Sequence, residues 1–379
     1  MTIALINGRV LLPDGPRDGL SVVVDGPVIA SLSCTPPPGA ALIDLAGALL
    51  LPGFIDVQVN GGGGVLFNDE PTVTGMQAIG AAHRRYGTTG FLPTLISDDL
   101  DIVARAIAAV DQAIAAGVPG VLGIHIEGPF LAERRRGIHR ADKLRSLRDE
   151  DIALLTSVKR GRTLLTVAPE AVTPAQIRRL VAAGVVVALG HSEADYECTR
   201  SAFAAGARGV THLFNAMSGF AHRAPGMAGA ALENDKAFAG VIADGHHIHP
   251  AALRIAVKAK GADRIMLVTD AMPSVGSDCR EFDLQGRRIR LSQGTLTDQA
   301  GTLAGSHLTM AGAFANVIEQ AGVSVEEASR MASATPAAFL GLDDRIGSIA
   351  PGMQADLVVM HADGQVLASW ISGVEERFS

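Results

Sequence analysis

From Pro52 onward the chain repeats one pattern eight times: a short apolar run, then an Ala-rich stretch with helical periodicity. The runs are Phe54–Val59, Gly90–Ile96, Val121–Ile126, Thr163–Val167, Val185–Leu189, Gly209–Leu213, Phe238–Ala243 and Ile265–Thr269. Intervening stretches such as 102–116 and 174–183 begin after Asp or Thr, residues that cap helix N-termini. Eight such units suit a closed (β/α)8 barrel, and a doubly wound open sheet uses the same units. The polar residues separate the two. Glu127, His191, His212, Asp244 and Asp270 each stand at the end of an apolar run, the third, fifth, sixth, seventh and eighth. In a barrel those ends converge on one mouth, whereas in an open sheet they would be strung along an edge. The expected fold is therefore an α/β, TIM-like (β/α)8 barrel.

The flanks follow a different rhythm. Residues 1–51 read as short strands without helices (Ile3–Ile6, Arg9–Leu12, Ser21–Val24, Val28–Leu32), punctuated by Asn7-Gly8 and Asp25-Gly26 turns. The tail returns to strands over Ile346–Ile349, Asp356–Met360 and Gln365–Ile371. Pairing the two ends gives a small β-sandwich domain from 1–52 and 344–379, with the barrel over 53–343. Within the barrel segment, Phe282–Thr297 reads as an inserted hairpin, and helices are expected over 308–321, 324–333 and 336–340.

Composition removes several classes of function. With 379 residues, 48% hydrophobic and 19% charged, the chain is an ordinary folded protein. Its formal charge of −7 offers no basic field for nucleic acid or anionic lipid. The longest apolar stretch, 41–55, is broken by Asp44, Pro52 and Gly53, so it cannot span a bilayer. Residues 1–9 lack the charged start and apolar core of a secretory signal, and the expected location is the cytoplasm. Cys34, Cys198 and Cys279 are odd in number and far apart, which argues for packing rather than disulfides or a thiolate metal site.

The chemistry sits in three segments: His125-Ile126-Glu127-Gly128-Pro129, Gly190-His191-Ser192 and Thr211-His212-Leu213-Phe214-Asn215. One carboxylate and two imidazoles with a position left open form a recurrent set for a catalytic divalent metal. Each His read singly is a hydrogen-bonded strand-end residue. Three such positions in phase with barrel strands favour the metal. Their separations, 191 − 127 = 64 and 212 − 191 = 21 residues, exclude a local finger, so only a closed barrel unites them. Asp270, across that mouth, suits general base and then general acid work, or else caps the next helix. His125 reads equally as core or as a partner behind the ligands. Gly61–Gly64 lacks the Lys-Ser/Thr of a phosphate loop and reads as a turn.

These residues resemble the amidohydrolase superfamily and, more narrowly, its family of N-acetylglucosamine-6-phosphate deacetylases. The likeness runs along nearly the whole chain: Leu51-Pro52-Gly53-Phe54-Ile55-Asp56, His125 to Phe130, Gly190-His191-Ser192, Thr211 to Met217, Ala243-Asp244-Gly245, Val268 to Ala271 and Leu303 to Ser306. The resemblance implies hydrolysis of an N-acetyl group on a phosphorylated amino sugar, the metal lying on Glu127, His191 and His212 and the acid/base being Asp270. It implies that His139 polarises the acetyl carbonyl and that His247 binds substrate. It further implies that Asn215, Ala216 and Arg223 hold the sugar phosphate, Arg223 from a neighbouring subunit of a homodimer. A guanidinium fork and backbone N–H groups suit a phosphate dianion. The chain departs from the superfamily where many members carry His-x-His, for it has Gln58-Val59-Asn60, and Val167-Ala168-Pro169-Glu170 offers no bridging Lys. Amides are weak ligands for zinc-like ions, so the expectation is one divalent metal per site, Zn first, with Fe, Mn or Co also compatible with the ligands.

Overall fold

The computed structural model describes residues 2–378. All eight apolar runs form parallel strands: β1 (Phe54–Val59), β2 (Thr88–Ile96), β3 (Gly123–Glu127), β4 (Arg162–Val167), β5 (Val186–Leu189), β6 (Gly209–Val210), β7 (Phe238–Val241) and β8 (Ile265–Leu267). Each pairs with the next in chain order, giving one eight-stranded sheet. Its two edges meet. Asp270 N–H donates to the Gln58 carbonyl and Asn60 N–H to the Ala271 carbonyl, both at 2.9 Å. The Asp56 carboxylate accepts from Thr269 N–H across the same seam, at 3.3 Å. The sheet is thereby rolled into the expected barrel.

A helix follows every strand: α1 (Val73–Arg84), α2 (Leu100–Ala115), α3 (Ile152–Leu155), α4 (Pro174–Ala182), α5 (Tyr196–Ala204), α6 (Gly226–Glu233), α7 (Pro250–Lys260) and, after an insertion, α8 (Met310–Ala321). Their starts obey the capping logic. Thr72 Oγ1 accepts from Gly75 N–H, Thr173 and Gln176 close a capping box, and Asp195 Oδ1 accepts from Cys198 N–H. The apolar faces of these helices bury against the strands in one core that includes Phe54, Phe91, Val110, Leu180 and Leu253. Gly61-Gly62 pairs with Val65-Leu66 as a tight turn, and a Cβ on Gly62 would lie 2.8 Å from the His83 ring.

Both termini build the β layers beside the barrel. One sheet has the order Val28–Ser33, Ser21–Asp25, Thr2–Ile6, Ala41–Asp44. The other has Val374–Arg377, Val366–Ile371, Leu357–Met360, Leu49–Pro52, Arg9–Leu12, Gly15–Arg17. The antiparallel pairing of Leu49–Pro52 with Leu357–Met360 joins the two ends of the chain. Their separate core gathers Leu5, Val22, Ile29, Leu50, Val359 and Trp370.

Three local expectations are corrected. The insertion is a three-stranded sheet (Glu281–Leu284, Arg287–Ser292, Thr295–Thr297) rather than a hairpin. Gln285-Gly286 and Gln293-Gly294 each close a two-residue turn, all four residues at positive φ. Ile346–Ile349 is not a strand; Ile346 and Ile349 are buried from an irregular segment. The helix expected over 324–333 runs as Val325–Ser329 and passes into a π-helical turn at Arg330–Ala334.

Candidate active site

Glu127 ends β3, while His191, His212 and Asp270 lie two or three residues beyond β5, β6 and β8. All three of those have positive φ (49°, 31° and 53°), as do Phe214 and Ala216. Such backbone is costly for residues with a Cβ and clusters at functional sites. It is held by main-chain bonds: Ala132 N–H to the His191 carbonyl, Asn215 N–H to that of His212 and Ser306 N–H to that of Asp270, each at 2.9 Å.

The result is a tight trio. Glu127 Oε1 lies 3.1 Å from His212 Nε2 and 3.3 Å from His191 Nε2, and the two nitrogens are 3.0 Å apart. Ligand atoms at zinc distances and tetrahedral angles stand about 3.3 Å from one another. His191 Nδ1–H donates to the Arg135 carbonyl at 2.8 Å, leaving Nε2 bare. His212 Nδ1 is buried without a protein partner. Three electron-rich atoms gathered this closely, and buried, fit a cation between them.

His139 approaches the same centre, and one atom each from Glu127, His139 and His191 falls within 4.8 Å. Its hydrogen bonds make it a donor rather than a ligand. Ser97 N–H, which can only donate, points to His139 Nδ1 at 3.3 Å, and Ser97 Oγ lies 2.8 Å from the same atom. Nδ1 is therefore the acceptor, and the proton resides on Nε2. That nitrogen is 3.9 Å from Glu127 Oε2, beyond the spacing of the trio. Burial pushes His139 down to about 3, so the ring stays neutral. A neutral imidazole offering Nε2–H suits an acyl oxygen that gains negative charge. His125 resolves as a buried interior residue, bonded to Thr94 Oγ1 at 3.2 Å and Thr166 Oγ1 at 2.8 Å.

The trio opens into a cavity of about 340 Å³, within the range of small-molecule pockets. Asp270, His139, Asn215, Ala216 and His247 all line it. Burial first, and then the neighbouring Glu127 charge, raises the Asp270 carboxyl to about 6. His247 is oriented by Nδ1–H donation to Asp244 Oδ2 at 2.6 Å, whereas His246 next to it is exposed. Arg223 stands apart, on an exposed loop and not among the residues lining the cavity.

Residues 49–375 match the amidohydrolase family. The chain belongs to that family. An N-acetylgalactosamine-6-phosphate deacetylase of Shewanella sp. (strain ANA-3) is 45% identical over 329 residues, covering 87% of this chain and 83% of that protein. An N-acetylglucosamine-6-phosphate deacetylase of Haemophilus influenzae is 34% identical over 378 residues, covering 98% and 99%. The crystal structure of N-acetylglucosamine-6-phosphate deacetylase from Pasteurella multocida superposes with a TM-score of 0.97 at 33% identity over 100% of both chains. In this amidohydrolase, sequence reasoning missed Ser97 as a partner of the site. Its signal was present: it is a polar residue directly after the apolar run Gly90–Ile96, as Glu127 is after the third run. Arg134 and Arg135 also line the cavity.

Proposed function

We propose that the chain is a metal-dependent hydrolase that removes the acetyl group of N-acetylglucosamine 6-phosphate, giving glucosamine 6-phosphate and acetate. The observation that carries this reading is the buried Glu127–His191–His212 trio at cation spacing, with Asp270 and the Nε2–H of His139 on the same cavity. The names of the relatives support the amide and the sugar phosphate. When bound, a divalent cation supplies Lewis acidity, lowering the pKa of a water and polarising the acyl oxygen. Asp270 takes the proton of the attacking water and returns it to the departing amine, which leaves only once protonated. His139 donates its Nε2–H to the acyl oxygen as negative charge develops there.

Asn215 and Ala216 hold the sugar phosphate, joined by Arg223 of a second copy in a cytoplasmic homodimer, and His247 binds the substrate. One metal, Zn first and otherwise Fe, Mn or Co, occupies each site. The exclusion of Arg223 from its own chain's cavity favours action in trans. The 45% identity to a galactosamine-type enzyme favours a second reading, the C4 epimer as preferred substrate. Acetate release from both epimers, each with and without the 6-phosphate, decides between them. A higher kcat/KM for the gluco phosphate supports the first reading, a higher value for the galacto phosphate supports the second, and no release from either overturns both.

A further inference from the structure

Gln58 and Asn60, the amides at the end of β1, are each 1% exposed. Gln58 lies in β1 and Asn60 directly follows its last residue, Val59, and both side chains reach Asp270. Both give their N–H groups to carboxylates. Gln58 Nε2 donates to Glu127 Oε1 and to Asp270 Oδ1, each at 3.1 Å, so both hydrogens of one NH2 group are engaged. Asn60 Nδ2 donates to the same Asp270 Oδ1 at 2.6 Å. The main chain of β1 adds a third tie, since the Gln58 carbonyl accepts Asp270 N–H at 2.9 Å. Asp270 is thus grasped by its backbone and by one oxygen of its side chain, and the residue as a whole lines the cavity. An oxygen that already accepts two hydrogen bonds is the less basic of the pair. The proton to be moved belongs on Oδ2.

We propose that Gln58 and Asn60 are positioning residues, which hold Asp270 by Oδ1 so that Oδ2 alone exchanges the proton with the scissile amide. Gln58 also ties that carboxylate to the ligand Glu127, so that the acid/base and the metal trio keep one fixed geometry. The inference rests on the deacetylase reading and deepens it. Simple packing does not account for the arrangement, because two buried amides converge on one carboxylate oxygen where apolar side chains of similar volume would fill the same space.

The test uses the metal-replete enzyme carrying Asn60→Leu, which removes the donor at similar size and touches no ligand. The measurements are kcat and KM with the preferred epimer, metal per chain and the melting temperature. The expected result is a fall in kcat of about 10²-fold, the scale of a small misplacement of a reacting group, with KM and metal content as in the wild type. Asn60→Ala, which removes the donor without adding charge, reads the same question should the Leu variant not fold, and Gln58→Leu should lower kcat likewise. A kcat within about twofold of wild type in a folded, metal-replete variant would overturn the positioning role. So would a loss confined to KM, which would make Asn60 a substrate contact. Wild-type protein inactive on both epimers would instead overturn the functional reading, and this inference with it.

Discussion

Replacing His139 by Phe isolates the hydrogen bond that His139 is assigned. The ring is 2% exposed, so an aromatic of similar shape keeps the packing while losing Nε2–H. With the imidazole held at about 3, only about one ring in 10⁴ is protonated at pH 7, so His139 acts there as a neutral donor and not as an acid. Loss of one donor to a developing oxyanion costs about 2.7–4 kcal/mol, or about 10²–10³ in kcat. Because the interaction strengthens only as charge develops, kcat should carry the loss and KM should change little. Steady-state rates from pH 5 to 9 on metal-replete protein give the second half of the test. Wild type and variant should show pH profiles of the same shape, displaced vertically, since no titration of His139 falls in that range. A variant within tenfold of wild type would refute the oxyanion role, and disappearance of a limb of the profile would show that His139 transfers a proton.

Asp270→Asn should abolish measurable turnover while metal content stays near wild type, and retained activity would remove Asp270 from the chemistry. His212→Asn should eliminate the rise in melting temperature that follows zinc addition to chelator-treated protein, a rise that at 1,000 times Kd corresponds to about 4 kcal/mol, whereas His139→Phe should preserve it; the opposite pattern would exchange ligand and donor. His83 is fully buried, its ring 2.9 Å from the Gly61 carbonyl, and burial pushes it down to about 4. Its unfolded value is about 6.5, so the unfolded chain binds more protons between pH 4 and 6.5 and stability falls as pH drops through that window. From pH 7 to pH 5 the loss is about 2 kcal/mol; urea unfolding of His83→Gln should show a pH 7 to pH 5 difference smaller by that amount, and an unchanged difference would refute the account.

The barrel was legible because its strands are buried on both faces, which leaves runs such as Val185–Leu189 and Phe238–Ala243 bounded by capped helices. The gathering of Glu127, His191 and His212 was legible because polar residues at the ends of such runs have few structural reasons to be there. What stayed hidden depended on partners distant in the chain. Nothing local in Ser97 tells that His139, 42 residues on, will turn its Nδ1 toward it. Gln58 and Asn60 were read by what they cannot ligate, while their actual partners lie 69 and 210 residues away. Val374–Arg377 became a strand only because Val366–Ile371 offers it an edge, although its own burial is slight.

The ends of the apolar runs and the ends of the strands are not the same place, and the difference matters for how the site is held. β6 stops at Val210 and β8 at Leu267, yet His212 and Asp270 still point into the mouth. Strand alternation no longer governs them there; the left-handed backbone at His191, His212 and Asp270 does. Each such residue stores strain on the order of 1–3 kcal/mol that the surrounding hydrogen bonds must outweigh. Glycine carries no such strain. Removing the side chain of Asp270 should therefore leave a more stable protein as Gly than as Ala, by about 1 kcal/mol, with both inactive. In a helix interior the order would be reversed, by a similar amount. Equal melting temperatures for Asp270→Gly and Asp270→Ala would mean that the backbone at the mouth is relaxed, and that the side chains, not the strain, set its shape.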